Sequence, residues 1–485
     1  MGESQPHTSI NSFLAPFVRP ASKYWEPFHT QHTFHTLHLA IMLRESLLAA
    51  IGLLDLARAQ QIGTNTPEVN PSLPFSQCTS SGCTKVNTGV TLDANWRWLH
   101  TTTGYTNCYT GNTWDKSICT SSAVCGQQCA IDGADYANTY GIRTSGDALT
   151  LGFKTGNNLG SRTYLLNPAG NAYQMFKLKN REFSFDVDVS KLACGLNGAL
   201  YFSEMPEKGA GAPGAKYGTG YCDAQCAQDL KFVNGVANNE GWVPSPTDQN
   251  SGAGKLGACC AEMDVWEANS ISQAVTPHVC TGQGLTTCSS PSQCGSGTGN
   301  RYSGVCDKDG CDSNPFRLGN TSFYGPGKTV NTNAKITVTT QFITSGNSDT
   351  GTLTEIRRIY KQNGKVIPNA ASNIAGIDKT NSVTSKFCSQ QKSVFGDPDD
   401  FAKKGGLAKM GDAMGRGMVL VMSLWTDNAS SMLWLDGTFP VGGSGPGVVR
   451  GTCDATSGLP ANVVAQHPDA SVTFSNIKFG AIGST

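Results

Sequence analysis

Charge is scarce in this 485-residue chain. Only 15% of residues are Asp, Glu, Lys or Arg, and acids and bases balance at 36 each; about a quarter would be usual. Without a basic excess there is no electrostatic footprint for nucleic acid or for an anionic membrane. An uncharged partner fits better. No apolar run is long enough to cross a bilayer. Helical periodicity is nearly missing, showing only in short pieces near 398–414. No C-x-x-C pair accompanied by histidines occurs, so the usual zinc frameworks are absent; neither metal nor cofactor is expected. No Pro/Ser/Thr-rich linker and no repeat interrupts 60–485, which reads as a single domain.

Cysteine is plentiful but begins only at Cys78, and the count of 18 is even. Scattered spacings of this kind imply nine disulfides formed in an oxidising compartment. Sequons at Asn320 (N-T-S) and Asn428 (N-A-S) agree with secretion. So does "MLRESLLAAIGLLDLARA" at 42–59, which has an early arginine, an apolar stretch and a small-x-small end. It reads as a signal peptide, with a mature start at Gln60 and an extracellular destination. Residues 1–41 hold five of the eight histidines. They precede the signal and read as an upstream extension with no assigned function.

Strand signals dominate the rest. "EFSFDVDV" (182–189) alternates, placing Phe183, Phe185, Val187 and Val189 on one face. "KITVTTQF" (335–342) does the same. Asn363-Gly364 within "TEIRRIYKQNGKVI" is a hairpin turn signal. "MVLVMSLW" (418–425) is continuously apolar, as a strand covered on both faces would be. Many short strands between Gly-rich loops predict an all-β fold, a large antiparallel sandwich with long stapled loops.

The chemistry concentrates in "CCAEMDVWEANS" (259–270), where Glu262, Asp264 and Glu267 fall within six positions. Cleaving a glycosidic bond needs a protonated acid and a second carboxylate. About 5–5.5 Å between them gives retention; a wider gap admits water and gives inversion. On a regular strand Glu262 and Asp264 share a face and Glu267 points away. One extra residue, a β-bulge between Asp264 and Glu267, would restore the parity. Four to five strand steps, less two inward-leaning side chains, leave roughly 5–9 Å between carboxyls, so retention and inversion both stay open. Coupled carboxylates push their pKa values apart, one staying protonated and the other ionised. A solvated strand face is the competing reading. Trp266 and the Cys259-Cys260 pair argue against it, because a stapled, aromatic-lined strand is costly decoration.

The motif resembles the signature of the fungal cellobiohydrolases of glycoside hydrolase family 7. The resemblance extends over 60–485 through "DANWRW" (93–98), "CGLNGALYF" (194–202), "GAKYGTGYCDAQC" (214–226), "TPHVC" (276–280), "RLGNTSFYGPG" (317–327), "MLWLD" (432–436) and "VTFSNIKFG" (472–480). It implies a concanavalin-like jelly-roll sandwich of two curved antiparallel sheets, whose loops form a cellulose tunnel. It also implies a retaining double displacement, releasing cellobiose from reducing ends. Glu262 would be the nucleophile, Asp264 its assistant and Glu267 the acid/base. His278 would flank them, either acting directly or holding structure.

The resemblance assigns glucosyl-stacking roles to Trp98 at the entrance, Trp96 deeper, Trp425 just before the cleavage point and Trp434 just beyond it. Stacking on flat C–H faces needs no charge; from the residues alone, four core tryptophans read equally well. Arg301, Asp309, Asp312, Arg317 and Arg450 match product-end positions, though surface ion pairs would look the same. Tyr201, Asp223 and Gln225 match the substrate floor. Cystines Cys222–Cys260 and Cys226–Cys259 are implied as well. The expected partners are a cellulose chain, cello-oligosaccharides and cellobiose, taken by a monomer.

Three departures stand out. "SGTGNRY" (296–302) is short and lacks one lid tyrosine, Ala429 replaces the other, and 204–218 is shorter than in many relatives. A partly open tunnel follows. The linker and cellulose-binding module that often follow the core are not found. An open-cleft endo-β-1,4-glucanase of the same family is the main rival, opposed by the long loops 238–260 and 294–312. An inactive β-glucan-binding jelly roll is the second, opposed by the presence of both glutamates.

Overall fold

The computed structural model describes residues 60–485; the expected signal peptide and the extension before it lie outside the described residues. Ten strands carry the architecture: β1 (Val90–Leu92), β2 (Ser161–Leu165), β3 (Arg181–Asp188), β4 (Leu196–Ser203), β5 (Glu262–Ala268), β6 (Gln273–His278), β7 (Ile336–Thr344), β8 (Leu353–Gln362), β9 (Met418–Thr426) and β10 (Ser471–Ala481). The inner sheet runs β6-β5-β4-β9-β2-β1. The outer sheet runs Lys365–Pro368, β8, β7, β3, β10, Ala148–Gly152, Ile142–Ser145. Pairing along both is antiparallel; Phe75–Thr79 joins the outer sheet parallel to β10. The result is the expected jelly-roll sandwich.

The alternation of 182–189 explains how the sheets meet. Phe183, Phe185, Val187 and Val189 are buried with Phe202 of β4, Trp266 of β5 and Leu420 of β9 in one continuous core. Glu182, Ser184 and Asp186, on the other face, are covered too, and each finds a partner on β7. Gln341 donates to Glu182 at 2.9 Å, Thr339 to Ser184 at 3.0 Å and Thr337 to Asp186 at 2.7 Å. Buried polar groups persist only when paired in this way.

The hairpin joining β8 to Lys365–Pro368 turns at Asn363 and Gly364, both at positive φ (51° and 75°), as a two-residue primed turn requires. Seven of nine residues of β9 are buried. One face meets the core and the other, with Val419 and Val421, lies under the loops between 205 and 260. Helix Ser385–Phe395 precedes the expected helical segment, which is two helices, Asp400–Lys403 and Gly406–Arg416. The preceding helix was not anticipated; it starts where the Thr384 hydroxyl accepts the Phe387 N–H. All 18 cysteines form nine disulfides, including Cys222–Cys260 and Cys226–Cys259. Among the described residues no helix is long and apolar enough to cross a membrane.

Candidate active site

The catalytic candidates sit on β5, whose neighbours disagree with its own count of residues. On β4, Ser203 pairs with Glu262 and Ala199 with Glu267. On β6 the partners are His278 and Ala274. Both neighbours therefore count four steps where β5 has five. The register shifts between Asp264 and Glu267 on the β6 side: β5 is bulged where the parity argument requires it. Met263, Val265, Trp266 and Ala268 all enter the core, leaving Glu262, Asp264 and Glu267 for the opposite face. Trp266 is wholly buried against Phe185 and Tyr324. It is the second inward residue of the bulge.

The bulge also narrows the reach. Four strand steps span about 13 Å, and two inward-leaning glutamates of about 4 Å each leave about 5 Å between carboxyls.

Each carboxylate has its own donor. Glu262 Oε2 accepts the Ala224 backbone N–H at 3.0 Å. His278 Nδ1 donates to the Asp307 carbonyl at 3.0 Å and turns Nε2 to Asp264 Oδ2 at 3.1 Å, so one proton must lie in the second contact. Asp264 also shares a hydrogen bond with Glu262. Glu267 Oε1 accepts the Asn197 amide at 2.9 Å. Gly310 lets its loop approach the histidine, since a Cβ there would fall 2.7 Å from His278 Cε1.

Burial raises all three carboxyls above their ordinary range. Glu262 is pushed up by burial and then by the charges of Asp264 and Asp223, against the opposing Ala224 N–H. Asp264 is raised by burial, then by Glu267. Glu267 is pushed up to about 7 by burial, held back by His278 and by the Asn197 hydrogen bond. It therefore carries a proton in mildly acidic solution.

Tryptophans flank this face. Trp425, on β9, pairs in register with Asn197, one row beyond Glu267, and its ring stacks with Trp434 at 6.3 Å. Trp434 Nε1 donates to Asp427 Oδ2 at 3.0 Å. Trp96 and Trp98 do not lie on one strand, because 94–97 is a turn before a short strand at Leu99–Thr101. Trp98 is 40% exposed and is held by Asn107 at 2.6 Å. Trp96 is half-buried beneath the Arg162 guanidinium. Arg162 also lies 3.3 Å over the Tyr221 ring, and Tyr221 shares a 2.9 Å hydrogen bond with Tyr201 on β4. Asp223 is buried with Oδ1 unpartnered. Gln225 is exposed and donates to the Lys308 carbonyl at 2.9 Å.

Four of the remaining candidates form two ion-pair groups, and Arg450 makes no ion pair among the described residues. Arg301 donates to Asp309 at 2.6 Å and to the same Lys308 carbonyl at 3.3 Å, next to Gln225. Arg317 is buried between Asp312 and Asp397. Arg450 donates to the Trp434 carbonyl at 3.2 Å, and its Nε is buried without a partner. Burial, then repulsion from Arg317, lowers Arg450 to about 10. Three clusters rich in cysteine consist largely of disulfide sulfurs, which leaves them unfit for a metal.

Sequence reasoning missed Asn197, Ala224, Arg162 and Tyr221. Asn197 and Arg162 carried a signal, each being a polar residue inside an otherwise strand-like stretch. The Ala224 N–H carried none.

A coupled carboxylate set on one face of a sandwich, flanked by partly exposed tryptophans, defines a glycoside hydrolase. The chain belongs to glycosyl hydrolase family 7, whose sequence profile matches residues 62–485. It is similar to a family 7 cellobiohydrolase from Daphnia pulex: 49% identity over 88% of this chain and 100% of that one, TM-score 0.87. A Melanocarpus albomyces cellobiohydrolase, solved with cellotetraose, is 45% identical over 88% and 99%, TM-score 0.82. The Humicola insolens endocellulase EGI is 37% identical over 88% and 100%, TM-score 0.75. Since an animal and a fungal enzyme match about equally, the resemblance is to the family and not to its fungal members alone.

Proposed function

We propose that this chain is a retaining cellobiohydrolase, cleaving β-1,4-glucosidic bonds of cellulose and releasing mainly cellobiose from reducing ends. The observation that carries the reading is the bulge in β5, which presents Glu262 and Glu267 on one face; the reach of four strand steps, less two side chains, puts their carboxyls roughly 5 Å apart, the retaining spacing. Glu262 attacks the anomeric carbon while Glu267 gives its proton to the departing glycosidic oxygen. The glycosyl–Glu262 ester is then opened by water, which loses a proton to Glu267 and restores both groups. Asp264, hydrogen-bonded to Glu262 and touching His278, steadies the charge on the nucleophile as it changes. Trp98, Trp96, Trp425 and Trp434 stack successive glucosyl units. Tyr201, Asp223 and Gln225 line the floor, and Arg301, Asp309, Asp312, Arg317 and Arg450 serve the product end.

An endo-β-1,4-glucanase is the second reading. The cellobiohydrolase reading is favoured by the higher TM-scores to cellobiohydrolases and by a loop contact. Asn428 donates to Asp248 at 3.0 Å, tying loop 245–251 to the turn after Trp425. With Ala429 and the short 296–302 segment leaving other lid contacts unmade, the tunnel is partly open. We further propose that residues 60–485 act as one secreted, monomeric catalytic domain.

Product analysis on crystalline cellulose tests the reading: predominantly soluble cellobiose supports it, and rapid viscosity loss in carboxymethylcellulose supports the endoglucanase. The first-formed sugar is the β-anomer; an α-anomer sinks the retaining mechanism. Glu262→Gln should abolish turnover and leave cello-oligosaccharide binding intact. Near-normal activity would overturn the nucleophile assignment.

A further inference from the structure

We propose that Arg358 is a positioning residue: from the outer sheet it holds the bulge that turns Glu267 onto the face of Glu262. The inference rests on reading those two glutamates as the catalytic pair. Val265 is the one residue of β5 with no register partner on either β4 or β6. A bulge leaves its extra residue outside the ladder, and a carbonyl buried there needs another donor. Arg358 supplies it, with Nη2 donating to the Val265 carbonyl.

An arginine at this place has no charged partner among the described residues to justify it. It is only 2% exposed and forms no ion pair with any carboxylate among the described residues. Its Nη1 is buried without a hydrogen-bond partner. Its other contacts are Nε donating to Thr340 at 3.2 Å, across the β7–β8 pair, and a hydrogen bond shared with Tyr360 on its own strand. The guanidinium lies 5.8 Å from the ring centres of Trp266 and Tyr360. Burial pushes it below its ordinary pKa, with only tyrosines nearby to favour the charge. Burying an unpaired charge is costly, and an apolar side chain of similar length fills such space at less expense. Packing alone has no use for this cation; the orphan carbonyl does. The same strand makes a second tie, because the Tyr360 hydroxyl accepts from Gln273 at 2.7 Å, and Gln273 is the register partner of Ala268.

The test is kinetic, on the full chain with cellotetraose as substrate. Arg358→Met should lower kcat by about 10²-fold, the effect of an ångström-scale misplacement. KM should hardly move, since Trp425 and Trp434 are untouched, and the alkaline limb set by Glu267 should shift by about half a unit or more. Arg358→Lys, which keeps a donor, should recover part of the lost kcat. Wild-type kcat and pH profile in Arg358→Met overturn the inference whatever its Tm, as does a lysine variant no better than the methionine one. If Arg358→Met does not fold, Thr340→Val decides. It frees the guanidinium from its anchor and should lower kcat several-fold with the same limb shift; an unchanged rate and limb refute the proposal. Glu262→Gln and Glu267→Gln run in parallel. If either stays active, the catalytic reading itself fails, whereas inactive glutamine variants beside an unaffected Arg358→Met sink only the positioning role.

Discussion

The Asn197 amide offers the sharpest test of how this site sets its acid. Asn197 Nδ2 donates to Glu267 Oε1 at 2.9 Å, a bond that favours the ionised form and holds Glu267 down against burial. Hydrogen bonds to charged groups are worth about 1.5–3 kcal/mol, and each pKa unit is 1.36 kcal/mol. Removing the amide should therefore lift Glu267 by about one to two units, with water entering the gap bringing the shift toward the lower figure. A general acid works only while protonated, so activity falls as pH rises through its pKa. In Asn197→Ala the alkaline limb of kcat/KM should move up from about 7 by about one unit. The assay is cellotetraose hydrolysis across pH 4–10, because a sugar leaving group needs the acid and kcat/KM reports the free enzyme. Asn197 Oδ1 also accepts the Ala268 N–H at 3.0 Å. The variant should thus lose about 1–3 kcal/mol of stability as well, a separate readout seen in Tm. An alkaline limb that stays in place, or moves down, refutes the assignment of Glu267 as the acid tuned by Asn197.

Asp436 is wholly buried and raised to about 6, first by burial, while Gly195 N–H and Asn269 oppose. The fold favours its protonated form, so its contribution is full below about 4 and fades as pH rises through 6. About two units amount to about 3 kcal/mol. Asp436→Asn should flatten the fall of Tm between pH 4 and 6.5, and parallel curves would contradict this. Asp248→Ala removes the tie to Asn428, worth about 0.5–1.5 kcal/mol. The ratio of soluble cellobiose to new chain ends on insoluble cellulose should drop about two- to tenfold, and an unchanged ratio argues against a lid role.

The legible parts of this molecule were those governed by local pattern. Period-two alternation located β3 and β7, an Asn-Gly pair located the hairpin, and odd spacing in a three-carboxylate motif located the bulge before any coordinates. Other features depended on long-range contacts that leave no local trace. The turn at 94–97 breaks what looked like a strand because Arg97 is drawn inward to Glu68 at 2.6 Å, a partner 29 positions away. The face taken by Trp266 leaves no local trace either, since an aromatic beside carboxylates reads the same on either side. Only the bulge, which turns two consecutive residues inward, places it in the core.

The paired cysteines at the head of the motif gain a purpose from the same geometry. Cys259 and Cys260 end two residues before Glu262, and their disulfide partners, Cys226 and Cys222, bracket Ala224. Two covalent clamps thus hold the one backbone N–H that reaches Glu262. A loop of this kind is normally free to drift, and a drift of an ångström would cost the donor much of its strength. With the clamps closed, the proposed nucleophile keeps a fixed donor that the other two carboxyls lack. Asp264 and Glu267 depend on side chains, an imidazole and an amide, that can turn or exchange protons. The Ala224 N–H favours the ionised form of Glu262 against a burial that pushes all three carboxyls upward. The staple and the proposed nucleophile are then linked: the sequence places its cysteines where they hold a backbone donor on Glu262.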